Sequence, residues 1–138
     1  MDSDYVSEWF RFAASDLFSA EYLLGRYPQP LELICYLCEQ STEKYLKGYL
    51  IYRGVEEPPR IHKLDALCEM CSEYDERFRE IEKACNVLTQ YGVQPRYPNE
   101  IEISEQDMKK ALEYARQVQD FELLTDVLKE LEQKSDDQ

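Results

Sequence analysis

Apolar residues recur at helical spacing through most of the chain, and proline, glycine or capping residues mark the breaks between the periodic stretches. From Asp4 to Leu24 one stripe holds Tyr5, Trp9, Phe12, Ala13, Leu17, Ala20 and Leu24, and a second beside it holds Val6, Phe10, Ala14 and Phe18. An exposed helix needs one apolar face, so two stripes predict a helix covered on two sides, by neighbours in the same bundle or by a partner subunit. Gly25 to Pro30 ends this helix. Leu31 to Gly54 is the longest run that reads as a single helix, with Ile34, Leu37 and Cys38 near its start and Tyr45, Leu46, Tyr49 and Leu50 near its end. Pro30 before it and Gly54 after it are the expected start and stop residues. Roughly 23 residues at 1.5 Å each span about 35 Å, so this helix crosses the core. Between its apolar clusters, Glu39 to Lys44 places charge in the middle of an element whose two ends are apolar.

Pro58 and Pro59 make Val55 to Ile61 a loop. His62 then opens a short helix carrying Leu64, Leu67, Cys68 and Cys71, and Asp75 caps the next, whose buried face is Phe78, Ile81, Cys85 and Leu88. Gly92 to Ile103, with Pro95 and Pro98, is the one long loop, of a length that is often functional. Ser104 is the N-cap of a helix striped by Met108, Ala111, Leu112, Ala115 and Val118. Leu124, Leu128 and Leu131 either extend it or form a last helix after a bend near Phe121. The pattern predicts an all-α fold, a single bundle of about five helices over residues 1–132, with a polar, frayed tail at 133–138.

Composition agrees with this. The 138 residues suffice for one domain with its own core, and 43% hydrophobic and 33% charged residues with four glycines favour packed amphipathic helices. No uncharged run reaches the length of a membrane span, and the start of the chain is acidic where a signal peptide is basic, so a cytoplasmic protein away from membranes is expected. Net charge is −13, a field that disfavours non-specific nucleic-acid binding but leaves room for a local pocket holding a small anion.

Five cysteines include Cys35-x-x-Cys38 and Cys68-x-x-Cys71, a pattern that four-thiolate zinc sites also show. Their flanks lack the glycine or proline of a metal-binding turn, and a spacing of three is also that of a buried helical stripe. The pattern is therefore read as core packing, with reduced thiols and no metal or other cofactor.

Trp9, Asp16-Leu17, then Cys35-Tyr36-Leu37-Cys38-Glu39-Gln40, Glu43-Lys44 and Lys47, then Ile61-His62-Lys63-Leu64, then Tyr91 and Arg96-Tyr97-Pro98 follow one another in the order of the HEPN family, the higher-eukaryote and prokaryote nucleotide-binding domain, which this sequence resembles. The resemblance covers about Val6 to Phe121. It implies an up-and-down helical bundle, often dimeric, of the kind encoded beside minimal nucleotidyltransferases. Many such domains are metal-independent ribonucleases, some of them toxins, that use an arginine, four to six intervening residues and a histidine. This sequence departs from that pattern. Its sole histidine, His62, follows Arg60 after one residue and Arg53 after eight, so no catalytic residue is assigned.

The candidate nucleotide-binding residues are Arg96, Tyr97, Lys44, Lys47 and His62. Arg96 and Tyr97 join a guanidinium fork to an aromatic face, a pair able to hold a phosphate and stack a base. Lys44 and Lys47 can add cations, or Lys47 can simply pair with Glu43 one turn back. His62 can bind phosphate or move a proton, or it can cap and pack the start of its helix. The expected protein is a non-catalytic nucleotide-binding or partner-binding module acting with a separate nucleotidyltransferase. A ribonuclease with a degenerate site and a dimerisation scaffold are the alternatives.

Overall fold

The Asp2 carboxylate accepts from the backbone of Asp4 and Tyr5 and so starts α1 (Ser3–Tyr22), which a short 3-10 turn ends. A computed structural model describes residues 2–92 and 102–136 of the protein. Helix α2 (Leu31–Tyr52) follows, and Gly54 closes it with φ +108°, a left-handed conformation that glycine adopts without steric cost. Next come α3 (Leu64–Tyr74), α4 (Glu82–Leu88), α5 (Glu105–Gln119) and α6 (Glu122–Asp136). The fold is all-α, with six α-helices and no strand among the described residues. One more helix is present than the pattern implied, because α5 ends at Gln119 and the chain bends at the buried Phe121 before α6.

Helix α2 is the axis of the bundle. It packs against α1 along most of its length and against α5, α3, α4 and α6 elsewhere. The approach of α1 is close. A Cβ at Gly48 would lie 2.8 Å from the Phe10 ring and 3.1 Å from the Trp9 Cβ, so only glycine fits there as the two helices stand. Ser41 Oγ adds a buried hydrogen bond to the carbonyl of Ala13 at 2.7 Å. This register selects Val6, Phe10, Ala13, Leu17 and Ala20 as the core face of α1. Tyr5, Phe12 and Phe18 are left exposed, so each of the two stripes enters this bundle only in part.

Two local expectations change. Asp75 does act as a cap, accepting from Arg77 N at 3.0 Å, but the residues after it form a 3-10 segment, Glu76–Ile81, before α4 begins. His62 does not open α3: Lys63 is the N-cap, and Thr89 Oγ1 accepts from Leu64 N at 2.9 Å. Ser104 caps α5 as expected, with Asp107 completing a reciprocal capping box. All five cysteines are free and buried, and no group of three or more His, Cys, Asp or Glu among the described residues is placed to hold a metal ion.

Candidate functional site

The polar turn in the middle of α2 is not a solvated strip. Glu39, Ser41 and Thr42 are fully buried, and Glu43 and Lys47 are nearly so. Thr42 and Ser41 satisfy their hydroxyls on backbone carbonyls of Cys38 and Ala13. The three charged residues stand one helical turn apart, Glu39, Glu43 and Lys47, and form a polar stripe inside the bundle.

Glu43 is its centre. One carboxylate oxygen lies 3.0 Å from His62 Nδ1, and the other lies 3.9 Å from Lys47 Nζ. His62 reaches this carboxylate from the loop before α3, with its own side chain 75% exposed. A histidine whose Nδ1–H donates to a carboxylate is held in one tautomer and orientation, with Nε2 as its remaining acceptor. His62 is therefore neither a helix cap nor a packing residue. It is an oriented imidazole at the end of a buried ion pair.

Glu39 lies one turn before Glu43. Its Oε2 accepts from Gln40 Nε2 at 2.9 Å, and its buried Oε1 has no partner among the described residues. Burial pushes its carboxyl up to about 7; the Glu43 charge pushes the same way, against the Gln40 hydrogen bond and the Lys47 and Lys44 charges. A Cβ at Gly92 would come within 3.3 Å of this carboxyl group, so Gly92, at the end of the Thr89–Tyr91 turn, packs directly against it.

The two lysines separate. Lys44 pairs with Asp16 of α1 and lines a groove of about 430 Å³ with Tyr5, Glu8, Trp9 and Phe12, whereas Lys47 joins the Glu43 stripe. Their ammonium groups are held by different carboxylates. The favourable Glu43–Lys47 order read from the sequence is present, but as a buried pair and not as surface decoration. Arg96 and Tyr97 lie outside the described residues. Neither of the two nearest arginines upstream of His62 is held against it: Arg60 is exposed, and Arg53 sits 5.2 Å over the Tyr74 ring and donates to Tyr49 Oη at 3.4 Å.

Glu39 and Glu43 are the site residues that the motif reading missed. The available signal was charge in the middle of a helix with apolar ends. That signal does not say which way the charge faces.

The profile of the HEPN domain matches residues 6–130. The chain belongs to the HEPN family. Its fold is also that of TT1696 from Thermus thermophilus, whose crystal structure superposes with a TM-score of 0.68 at 22% identity, over 90% of this chain and 96% of that one. No curated protein matches the chain. The six-helix bundle around α2 is thus the HEPN fold, and the Glu39–Glu43–Lys47 stripe with His62 lies in the middle of the matched region.

Proposed function

We propose that this HEPN protein is a nucleotide-binding accessory module that acts with a separate minimal nucleotidyltransferase, and that its nucleotide site is built on the Glu43–Lys47–His62 end of the α2 stripe. The observation that carries this reading is the buried charge itself. Removing a carboxylate and an ammonium from water costs several kcal/mol per ion, and a helix in a bundle core gains more from an apolar pair of the same volume. Charge retained at that cost, and joined to an oriented and accessible histidine, supports a binding role. Lys47 supplies a positive charge for a phosphate, His62 offers Nε2 as an acceptor for a ligand hydroxyl, Glu43 fixes both, and Arg96 and Tyr97 are assigned the phosphate fork and the base-stacking face. Lys44, engaged with Asp16, is left with a supporting role. The protein is further assigned a two-fold dimer, in which the exposed aromatic residues of α1 are covered.

A second reading has one observation in its favour. The Glu43–His62 contact is an acid–base pair of the kind that moves the proton of a ribose 2′-hydroxyl in a metal-independent ribonuclease.

Titration of a mononucleotide against the wild type, Arg96→Ala and His62→Ala, with and without the partner and beside an RNA-cleavage gel, separates the two. The accessory reading expects saturable binding, no RNA cleavage, and a loss of about ten- to a hundredfold in affinity for Arg96→Ala, from about 1.5–3 kcal/mol for a charged hydrogen bond. Cleavage without added metal that disappears in His62→Ala overturns it in favour of the ribonuclease. Neither binding nor cleavage, with the partner present, leaves a dimerisation scaffold.

A further inference from the structure

Most nucleophilic side chains on and around the α2 stripe are engaged or shut away. All five thiols are buried. Ser41 and Thr42 donate their hydroxyls to backbone carbonyls inside the bundle, Lys44 is paired with Asp16, and Lys47 is only 6% exposed beside Glu43. Tyr45 Oη accepts from Gln119, and Tyr52 Oη donates to Glu130. His62 differs from all of these, because its side chain is three-quarters exposed while one ring nitrogen is held from below.

That hold prepares the ring for one kind of reaction. Nδ1–H donates to Glu43 Oε1 at 3.0 Å, which places the ring lone pair on Nε2. When Nε2 bonds to an electrophile, positive charge develops on the imidazole, and Nδ1–H becomes a stronger donor. The carboxylate already stands where it stabilises that charge without reorganisation. It is nearly buried, where such an interaction is stronger than in water, and Lys47 Nζ at 3.9 Å from its other oxygen holds it in place. The nucleotide reading proposed above sets a phosphate beside this nitrogen, so phosphorus is the electrophile within reach.

We infer that His62 is a phosphorylation site, at which Nε2 takes the terminal phosphoryl group of a nucleoside triphosphate bound at the Glu43–Lys47–His62 end of the stripe. For the identity of the donor this rests on the nucleotide-binding reading. The Nε2 lone pair attacks the terminal phosphorus. The N–P bond forms, the bond from that phosphorus to the bridging oxygen breaks, and the electron pair leaves with the nucleoside diphosphate. No proton is transferred and nothing is oxidised or reduced. Nδ1–H stays on the ring, and the phosphorylated imidazolium remains paired with Glu43. His62 is the nucleophile, and Glu43 is a positioning residue that acts through it.

The test incubates the full-length protein with a nucleoside triphosphate and magnesium chloride, measures binding by calorimetry, and follows intact mass and the peptide map without exposure to acid. The expected result is saturable binding and the gain of one phosphoryl group, which mild acid removes and which His62→Gln lacks. NMR of the labelled protein, whose only imidazole is His62, is expected to place the phosphorus on Nε2. Glu43→Gln keeps an oxygen for Nδ1–H and loses the charge, so its label is expected on the same nitrogen but to form about tenfold more slowly. Binding without label overturns this inference and leaves the nucleotide reading standing, whereas the absence of both overturns both. Label on Nδ1 or on any other residue also overturns it. The wild-type experiment decides this even if Glu43→Gln fails to fold.

Discussion

Helices α1 and α2 pack against each other along most of their lengths, and they depart from the usual distribution of polar and apolar groups in opposite directions. Helix α1 leaves Phe18 and Tyr22 exposed at 73% and 78%, whereas α2 buries Glu39 completely and leaves Glu43 only 7% exposed. Leaving aromatic area in water forgoes hydrophobic stabilisation, and burying carboxylates adds a desolvation cost. Neither departure stabilises a monomer. The two need different remedies: an apolar surface is relieved by another macromolecule, and a buried charged stripe is relieved by counter-charge and hydrogen bonds inside it. The α1 face therefore reads as a place for assembly, and the α2 stripe as a place for chemistry or for a small ligand.

The comparison breaks first at Glu43. Replacing it by alanine leaves Lys47 buried with no other salt-bridge partner among the described residues, which costs about 3–5 kcal/mol of folding stability. Urea denaturation measures this directly. A loss below about 1 kcal/mol, the range of an exposed pair, would show that the stripe carries no strain and is ordinary helix pairing.

A somewhat smaller effect is expected at Glu39, and it depends on pH. The carboxyl titrates near 7 when folded, against 4.5 ordinarily, so the folded protein holds a proton that the unfolded chain has released. The stabilisation this gives is fully present below pH 4.5 and is lost as pH rises from there to about 7, by about 3 kcal/mol in all. Glu39→Gln keeps the shape without the charge. Its stability relative to wild type is expected to rise across that window and then stay level at higher pH. Parallel denaturation series at about pH 5 and pH 8, on either side of the folded titration, check this, and equal pH slopes for the two proteins would refute it.

The smallest effect on folding is expected on α1. Phe18→Ser removes an exposed ring, so stability changes by no more than about 0.5 kcal/mol. Its effect belongs to assembly: sedimentation velocity is expected to show the wild type as a dimer and the variant shifted toward the 16.4 kDa monomer. A wild type that sediments only as monomer at micromolar concentration would remove the self-association reading of this face.

Of the candidate site, Lys47 and His62 were legible in the sequence, and they do belong to one cluster. The residue that joins them, Glu43, was read only as the partner in a helix pair, because a spacing of four describes a surface pair and a buried pair equally well. Glu39 left less trace. A single glutamate in a polar turn becomes a carboxyl titrating near neutrality only through the packing of Gly92 and the surrounding core over it. Lys44 and Lys47 are close in sequence, yet Asp16 of α1 engages the first and Glu43 the second.

The sequence by itself determined the all-α class, the single long central helix, and most of the helix ends, because periodicity, capping and chain breaking act within a few residues of one another. Gly54, Asp75 and Ser104 play the roles that their local chemistry dictates. Tertiary structure decided which residues of the two α1 stripes enter the core, that the charged turn of α2 is buried, and that His62 meets Glu43. Each of these depends on how one helix is rotated and set against another. That rotation is fixed by close contacts between distant parts of the chain, such as Phe10 against Gly48, which local spacing does not encode.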